Sequence, residues 1–353
     1  MNESWEVIVI GGGPAGLSAA LLLGRARRRV LVVDAGSPRN RFAAHMHGVL
    51  GNEGAEPAAL LARGREEVAR YGVEVRDGRV TEVQEQDRAV VVSLDDGTEL
   101  TARALVVATG ITDSLPGVPG LAGRWGTTVL HCPYCHGWEV RDRRLGVLVT
   151  SAMDLHRAQL VRQWSEDVVV FAGGVSDGMA SDGAASDAGL LTPELEARLR
   201  ARGVEIVTSP VVEVLGDDGA GRGAGGAGGD SAAMSGVRTA DGVVVPVDAI
   251  FAGGESVPHD AFLAPLGLAR SETPMGNFLD VDQTGRTSSA RIWAAGNVVN
   301  PGLTVPMSIG AGAQTGGAVN MALVTEDFDL AEGAAPAPTA AATATATTEG
   351  TAR

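Results

Sequence analysis

Both cysteines of this 353-residue chain lie in one short stretch, LHCPYCHGW, which begins at Leu130. Cys132 and Cys135 are separated by two residues, and two thiols at this spacing can close a small disulfide that stores two electrons. His131 and His136 stand on either side of the pair. Imidazole titrates near neutrality, so it can take a proton from an attacking thiol or return one to a leaving thiolate. The stretch therefore predicts thiol–disulfide redox chemistry.

Three other interpretations of this stretch are weaker. Cys and His are also zinc ligands, but residues adjacent in sequence rarely all face one ion, and no second CxxC or HxxxH completes a tetrahedron. We therefore predict no metal. Two buried, inert cysteines are the simplest structural alternative. The CPYC sequence also resembles the glutaredoxin motif, but that motif follows the first strand of a small domain, whereas about 130 residues precede it here.

The composition restricts the class of protein. Hydrophobic residues make up 44% of the chain, enough for the cores of two domains, and no apolar run reaches the length of a membrane span. Met1–Glu6 is acidic rather than basic, so we predict no signal peptide and a cytoplasmic location, where a lone cysteine pair is typical of catalysis. A net charge of −15 and 4% aromatic residues argue against nucleic acid or an anionic membrane as a partner.

A glycine motif follows the first predicted strand. Val7–Ile10 leads into GGGPAG and then an apolar run, which is the order of strand, tight turn and helix. Gly11 permits the turn, Gly13 lets the backbone approach a pyrophosphate, and Gly16 lets the helix approach the strand. The helix N-terminus then faces the phosphates. The motif predicts a dinucleotide site.

Three further strand endings support that site. Val30–Val33 ends in Asp34, at about the spacing where a carboxylate accepts hydrogen bonds from the ribose hydroxyls. Ala104–Gly110 and Ile292–Gly296 are two more strands that run into a glycine. Such endings, far apart in sequence, are what one nucleotide-binding domain needs when a second domain is inserted into it.

Taken together, these motifs resemble the low-molecular-weight thioredoxin reductases. The GGGPAG start, the ATG ending at Gly110, the CxxC about 22 residues later and the AAGN ending at Asn297 match in type and order, over residues 5 to about 328. The resemblance implies an α/β protein of two Rossmann-like three-layer domains, in which a degenerate NADPH-type domain carrying the cysteines interrupts the FAD-binding domain. It also implies a homodimer. The implied boundaries are 1–117 and 248–330 for the FAD-binding domain and 118–247 for the inserted domain.

The same resemblance implies roles for individual residues. Cys135 would face the flavin, and Cys132 would exchange with substrate. His136 follows the second cysteine where the reductases have an acid, and we take it as the acid/base. Asn297 stands where the family usually has aspartate, although its amide can still bond the ribitol. The implied FAD contacts are Gly11, Gly13, Pro14, Ala15, Gly16, Asp34, Arg41, His47, Val80, Thr109, Gly110, Gly296, Asn297 and Val305.

The inserted domain lacks what a reductase uses to bind NADPH. Its first strand, Leu145–Val149, is followed by TSAMDL at Thr150–Leu155, with no glycine where three are expected. Side chains at those positions block the close approach of a pyrophosphate to the backbone. The next strand, Asp167–Phe171, is followed by no arginine for a 2′-phosphate. We therefore predict that both halves of the NADP site are absent.

Without a nicotinamide donor, electrons most simply enter from thiols. A dithiol would attack the disulfide and leave oxidised, and the cysteine pair would then reduce FAD, with O2 as the simplest final acceptor, giving H2O2. A chain with HCPxCH and no NADPH fingerprint resembles the flavin-dependent dithiol oxidases of gliotoxin and holomycin biosynthesis, whose substrates are small-molecule dithiols. One alternative is a disulfide reductase fed by ferredoxin or by an atypical NADPH site. Another is a flavoprotein that senses redox state, or protects a bound disulfide, without turnover.

Several segments are predicted to lie outside the cores. Gly173–Gly189 and Gly216–Gly236 are too rich in Gly, Ala and Ser to order themselves, so we expect surface loops or disorder. Residues 331–353 are mainly Ala, Thr and Pro, which predicts a disordered tail. Before the tail, Ala311–Val324 is predicted to be a helix of small residues.

Overall fold

The structure of the protein is a computed structural model, and it describes residues 3–176, 178–179, 190–217 and 233–334. Most of the two predicted loops, and the predicted tail from residue 335 onward, lie outside the described residues. Where the loop prediction overlaps them, it is wrong for Gly216 and for residues 234–236, which belong to strands. The tail prediction is likewise wrong for residues 331–334, which are helical.

The chain begins with a βαβ unit and continues into a meander of strands. The strands of this part are β1 (Glu3–Ile10), β2 (Val30–Asp34), β3 (Glu74–Asp77), β4 (Val80–Gln86), β5 (Ala89–Leu94), β6 (Glu99–Val107) and β7 (Ile111–Ser114), and its helices are α1 (Pro14–Arg25) and α2 (Pro57–Ala69).

The middle of the chain forms a second α/β unit. Its elements are β8 (Val129–Leu130), α3 (Pro133–His136), β9 (Leu145–Leu148), α4 (Ala152–Val161), β10 (Val168–Phe171), α5 (Pro193–Ala201), β11 (Glu205–Val207), β12 (Val211–Gly216), β13 (Met234–Thr239), β14 (Val244–Val245) and β15 (Ala249–Phe251). The last part returns to the first unit with β16 (Glu255–Pro258), β17 (Arg270–Thr273), β18 (Gly276–Leu279), β19 (Ile292–Ala294) and α6 (Val305–Ala334).

The first domain is built on a parallel sheet. Its strands run β3-β2-β1-β6, β19 also pairs with β6 in parallel, and the β4–β5 hairpin extends the other end of β6. The apolar runs of β1 and β2 are buried, as expected of parallel strands covered on both faces. One hydrophobic core lies under α1 and α6, and another lies on the opposite face with the hairpin.

Helices α1 and α6 pack closely because small residues line their contact. A Cβ added to Gly312 would clash with the carbonyl oxygen of Ala15, and one added to Gly316 would lie 2.7 Å from that of Ala19. Helix α6 is longer than the predicted Ala311–Val324 at both ends. This contact fixes the N-terminal end of α1, which borders the candidate site.

The inserted domain has its own parallel sheet, in the order β11-β10-β9-β15-β8, beside a three-stranded antiparallel sheet of β12, β13 and β14. Two Rossmann-like α/β units with the second inserted into the first confirm the predicted fold class. The boundary at residue 248 is wrong, because β15 pairs with β9 and β8 and so belongs to the inserted domain. The two chain segments that connect the domains contain β7 and β16, which pair in antiparallel fashion. No helix in the described ranges is both long and apolar enough to cross a membrane.

Candidate active site

The structure joins Cys132 and Cys135 in a disulfide with a Cα–Cα distance of 5.2 Å. Cys132 is the N-cap of the one-turn helix α3, and Pro133 occupies its first position, where a missing N–H costs nothing. The backbone N–H of Cys135 donates to the Cys132 Sγ at 3.2 Å. This donor also stabilises negative charge on Cys132 when the disulfide opens, because a hydrogen bond to the charged form favours it.

A large cavity between the two domains brings the cysteines to the glycine motif. Its empty volume, open mouth included, is about 1660 Å³. The predicted residues that line it are Gly11, Gly13, Pro14, Ala15, Asp34, His47, Thr109, Gly110, His131, Cys132, Cys135, His136, Gly296, Asn297 and Val305.

Three predicted cofactor contacts lie elsewhere. Gly16 faces the carbonyl oxygen of Gly11, where any Cβ would clash, so its role is to let α1 approach the turn. Arg41 lines a smaller neighbouring cavity, and its guanidinium lies 4.2 Å from the centre of the Phe42 ring. Val80 is buried in the core beneath the hairpin. The structure does not bring these three side chains into the large cavity.

The polar groups of the cavity fit a dinucleotide. Gly13 is the N-cap of α1, and nothing lies within 4 Å of a Cβ built on it, so the backbone there is open to a ligand. Thr109 has a buried hydroxyl oxygen with no hydrogen-bond partner among the described residues. Asp34 forms an ion pair with Arg65 and accepts from the Gly36 N–H at 3.2 Å, which holds its carboxylate at the cavity. A buried, unpartnered hydroxyl is costly unless a ligand satisfies it.

Asn297 organises one wall of the cavity. Its Nδ2 donates to three backbone carbonyls of the following turn, those of Asn300 at 3.1 Å, Pro301 at 3.3 Å and Leu303 at 3.0 Å. An aspartate has no N–H and could not make these bonds. These bonds give the amide a structural role, and its contact with the ribitol stays a prediction.

His131 is held neutral by its surroundings. Arg39 pairs with Asp113 at 2.6 Å, and its Nη2 lies 3.5 Å from the His131 Nε2. Burial, followed by the charges of Arg157 and Arg39, lowers the pKa of His131 to about 4, while Asp113 and Asp154 oppose this effect. Its Nδ1 is shielded from solvent and has no hydrogen-bond partner among the described residues. At neutral pH His131 can form hydrogen bonds in the cavity but carries no charge.

His136 has a different environment. Burial is the largest cause that lowers its pKa, and the positive field of His47 adds to this, while Glu139 acts in the opposite direction. A neutral imidazole can accept a proton from a thiol, and the nearby carboxylate favours the imidazolium that results. Of the two histidines beside the disulfide, His136 therefore has the surroundings of an acid/base.

In the inserted domain, the side chain of Asp154 occupies the N-terminus of α4. This is the helix end that binds a pyrophosphate in a Rossmann unit. The Asp154 Oδ2 accepts from the backbone N–H groups of Thr150 at 2.9 Å and Ser151 at 2.8 Å, and from both of their hydroxyls. Its Oδ1 pairs with Arg157, and the carboxylate is 1% exposed. The N-terminus of α4 thus already holds an anion supplied by its own third residue.

Sequence reasoning missed several residues that shape this site. Arg39 and Asp113 are 74 residues apart in sequence, and no local sequence pattern predicts their contact. Glu139 directly follows the LHCPYCHGW stretch, but no spacing pattern marks it. Asp154 did leave a signal, since Ser151 and Asp154 have the spacing of a capping box, Ser-x-x-Asp.

Comparison with known proteins agrees with this geometry. Residues 5–176 match the family model described as pyridine nucleotide-disulphide oxidoreductase. The crystal structure of HlmI is 40% identical, with a TM-score of 0.81, over 94% of this chain and 96% of that one. An oxidoreductase from Agrobacterium tumefaciens is 34% identical, with a TM-score of 0.77, over 92% of this chain and 99% of that one.

Curated relatives match over a shorter stretch. A probable thioredoxin reductase from Arthroderma benhamiae is 37% identical over 180 residues, which is 49% of this chain and 45% of the relative. The thioredoxin reductase sirT of Leptosphaeria maculans is 35% identical over 183 residues, 48% of this chain and 56% of the relative. The chain spans about half the length of the curated relatives it matches.

Proposed function

Because the chain belongs to the thioredoxin-reductase-like flavoproteins of the pyridine nucleotide-disulphide oxidoreductase family, we propose that it is an FAD-dependent dithiol oxidase. It takes two electrons from a dithiol substrate through Cys132 and Cys135 and delivers them to O2 by way of the flavin. The substrate leaves as a disulfide, and the oxygen leaves as H2O2.

The observation that carries this direction of electron flow is the N-terminus of α4. In a Rossmann unit the first helix end binds the pyrophosphate of the dinucleotide through free N–H groups. Here the carboxylate of Asp154 lies at that helix end, accepts the N–H groups of Thr150 and Ser151 in the turn that enters the helix, and is shielded from water. A second anion would meet both a filled position and a like charge. Electrons therefore enter from the thiol side.

The chemistry can be assigned to residues of this chain. Neutral His136 takes the proton from one substrate thiol, and the thiolate attacks the Cys132 Sγ. The Cys132–Cys135 bond breaks, a mixed disulfide forms, and Cys135 leaves as a thiolate. The second substrate thiol gives its proton to the Cys135 thiolate and attacks the mixed disulfide, which releases the oxidised substrate and a Cys132 thiolate. Two electrons and two protons have then moved from the substrate to the protein.

FAD, when bound, would accept the two electrons from the cysteine pair and pass them to O2. The residues that would hold it are the turn at Gly11 and Gly13, the carboxylate of Asp34 and the unpartnered hydroxyl of Thr109. All of these line the same cavity as Cys132 and Cys135. The residues that would hold FAD and the cysteine pair therefore face the same space.

We also propose that the protein works as a homodimer in the cytoplasm on a small-molecule dithiol. The dimer follows from the family resemblance. The location is supported by cysteine usage, since a lone CxxC pair in a reducing compartment is typical of a catalytic rather than a structural disulfide. A small-molecule dithiol, and a role in natural product biosynthesis, follow from the resemblance of HCPxCH to the dithiol oxidases.

Anaerobic addition of dithiothreitol to the flavin-loaded protein tests the direction of electron flow. We expect dithiothreitol to bleach the visible flavin band and NADPH to leave it unchanged. In air, one H2O2 should form for each dithiol oxidised, and Cys135→Ser should abolish this while the flavin stays bound. Rapid bleaching by NADPH alone would contradict the proposal and favour a disulfide reductase. Bleaching without turnover in air would favour a redox sensor.

A further inference from the structure

The loop that follows α1 and β2 carries His47 to the edge of the site. The imidazole Nδ1 of His47 lies 2.7 Å from Glu53 Oε1, and Glu53 Oε2 accepts from the Gly48 N–H at 2.8 Å. Backbone bonds from Met46 to Ala55, at 2.9 Å, and back from residue 54 close the loop on itself. His47 is therefore fixed in position by the first domain.

The other nitrogen of this imidazole reaches the inserted domain. His47 Nε2 lies 3.5 Å from Glu139 Oε1, and Glu139 follows the acid/base His136 by three residues. His47 and His136 line the same cavity. A histidine and a carboxylate from two different domains thus meet beside the group that moves protons for the cysteine pair.

The charged groups that act on His136 are these two. Glu139 favours its protonated form and His47 disfavours it, while burial is the larger effect and lowers the pKa of His136. Glu53 faces His47 from the far side, and its own pKa is lowered by the hydrogen bond with His47. His47 lies between two carboxylates that both reach solvent: the side chain of Glu53 is 65% exposed and that of Glu139 is 40% exposed.

We propose that His47 and Glu139 form a positioning pair that sets the protonation of His136. The inference rests on the proposed dithiol oxidation. When His136 takes a proton from the substrate thiol, the carboxylate of Glu139 stabilises the imidazolium, and the proton then leaves to water. The thiolate that remains attacks the Cys132 Sγ as described above, so no further reactant is needed.

The pH dependence of flavin bleaching tests the pair, because a merely structural role would not move it. Flavin-loaded protein is mixed anaerobically with excess dithiothreitol between about pH 5 and 9, and the bleaching rate is followed. The rate should fall on the acidic side as His136 becomes protonated. Glu139→Gln removes a charge that favours protonation, so this acidic limb should move to lower pH by on the order of half a unit, about a threefold rate change on the limb.

His47→Gln should move the same limb in the opposite direction, to higher pH, because it removes a positive charge that disfavours protonation. Glu166→Gln is the matched control: it removes one negative charge from a side chain that is 96% exposed, and it should leave the limb in place. An unchanged visible flavin spectrum verifies that each variant is folded.

The results distinguish a failure of the positioning pair from a failure of the proposed oxidase function. If dithiothreitol fails to bleach the unmodified protein at every pH, the proposed oxidase function is wrong. If the unmodified protein is bleached but Glu139→Gln and His47→Gln leave the limb unmoved, or move it in the same direction, the positioning pair is wrong and the oxidase function stands.

Discussion

His131 and His136 flank the same disulfide, but their surroundings favour different chemical roles. His131 is shielded and lies in the positive field of Arg39 and Arg157, so its pKa is lowered to about 4. His136 has Glu139 close by to stabilise the protonated form. Asp113 and Asp154 also favour protonation of His131, but burial and the two arginines outweigh them, whereas no arginine in the described ranges acts on His136. His136 is therefore the better placed of the two to take and release a proton. His131 is better suited to a hydrogen bond from a neutral ring.

The low pKa of His131 predicts a loss of stability in acid. The unfolded chain binds a proton on this residue below about pH 6.5, whereas the folded protein resists it until about pH 4. The free energy of unfolding should therefore fall as the pH drops through this window, and His131 alone contributes about 2 kcal/mol between pH 7 and 5. Urea unfolding at the two pH values should show His131→Gln losing that much less than the unmodified protein.

A matched histidine variant controls for general acid effects. His156 is exposed on α4, and His156→Gln should retain the full loss of stability in acid. If His131→Gln loses as much stability as the unmodified protein, the ring is not held neutral by its surroundings, and its separation in role from His136 no longer stands.

At the scale of elements, the first helix of each domain follows the same strand and turn, but only one of the two helix N-termini is open to a ligand. Helix α1 begins after Gly13, whose backbone is open to the cavity. Helix α4 occupies the equivalent place after β9, but the carboxylate of its third residue, Asp154, accepts the N–H groups of the turn that enters the helix. The difference is one of side chains, since strand, turn and helix follow in the same order.

Asp154→Ala should destabilise the protein strongly. The change leaves the N–H groups of Thr150 and Ser151 without their acceptor and Arg157 without its partner, in a place where water is excluded. Lost caps and buried unpaired groups together cost about 2 to 4 kcal/mol. Urea unfolding measures this. Asp167→Ala, which removes a half-exposed partner of Arg144, should cost less than about 1 kcal/mol.

A cost for Asp154→Ala no larger than that for Asp167→Ala would show that the carboxylate is not an integral part of the helix end. A nucleotide could then displace this carboxylate at the N-terminus of α4.

The contact of α1 with α6 provides a second prediction at this scale. Gly312→Ala places a methyl group against the carbonyl oxygen of Ala15, which is backbone and cannot turn aside. Overpacking of this kind costs about 1 to 3 kcal/mol, and because Ala15 lines the cavity, flavin should also be lost during gel filtration. Gly310→Ala is the control, since no atom lies within 4 Å of the added methyl.

At Gly310 the higher helix propensity of alanine should instead stabilise α6 by about 0.5 to 1 kcal/mol, with the flavin retained. Equal behaviour of the two alanine variants would contradict a packing role for Gly312. The contact of α1 with α6 would then not require glycine at position 312.

How far the sequence predicts the molecule depends on the range of the interaction. The turn at Gly11, the disulfide of Cys132 with Cys135 and the carboxylate of Asp34 are set by neighbours along the chain, so they could be predicted from local sequence patterns. The pairing of Arg39 with Asp113 depends on how the segments that connect the two domains fold. The assignment of β15 to the inserted sheet does too, because a short apolar strand carries no mark of which sheet it joins.

At the scale of the whole molecule, a net charge of −15 makes copies of this chain repel one another. A surface of low charge would favour association of two copies against this repulsion. Helix α6 offers one in Met307, Gln314, Met321 and Phe328, which we call the α6 stripe. They recur every seven residues, or about two turns, and so share one helix face. Met321 is 64% exposed and Phe328 is 68% exposed.

Sedimentation of the flavin-loaded protein should give the mass of two chains, and substitution of the α6 stripe should reduce it to that of one. We expect the double variant Met321→Glu, Phe328→Glu to dissociate, because a twofold interface places each residue against the same surface of the partner and so doubles every added charge. Val243→Glu, on an exposed hairpin turn of the inserted domain, adds charge elsewhere and should leave the dimer intact. A dimer that survives the double variant, or is lost in Val243→Glu, would show that the copies meet through another face.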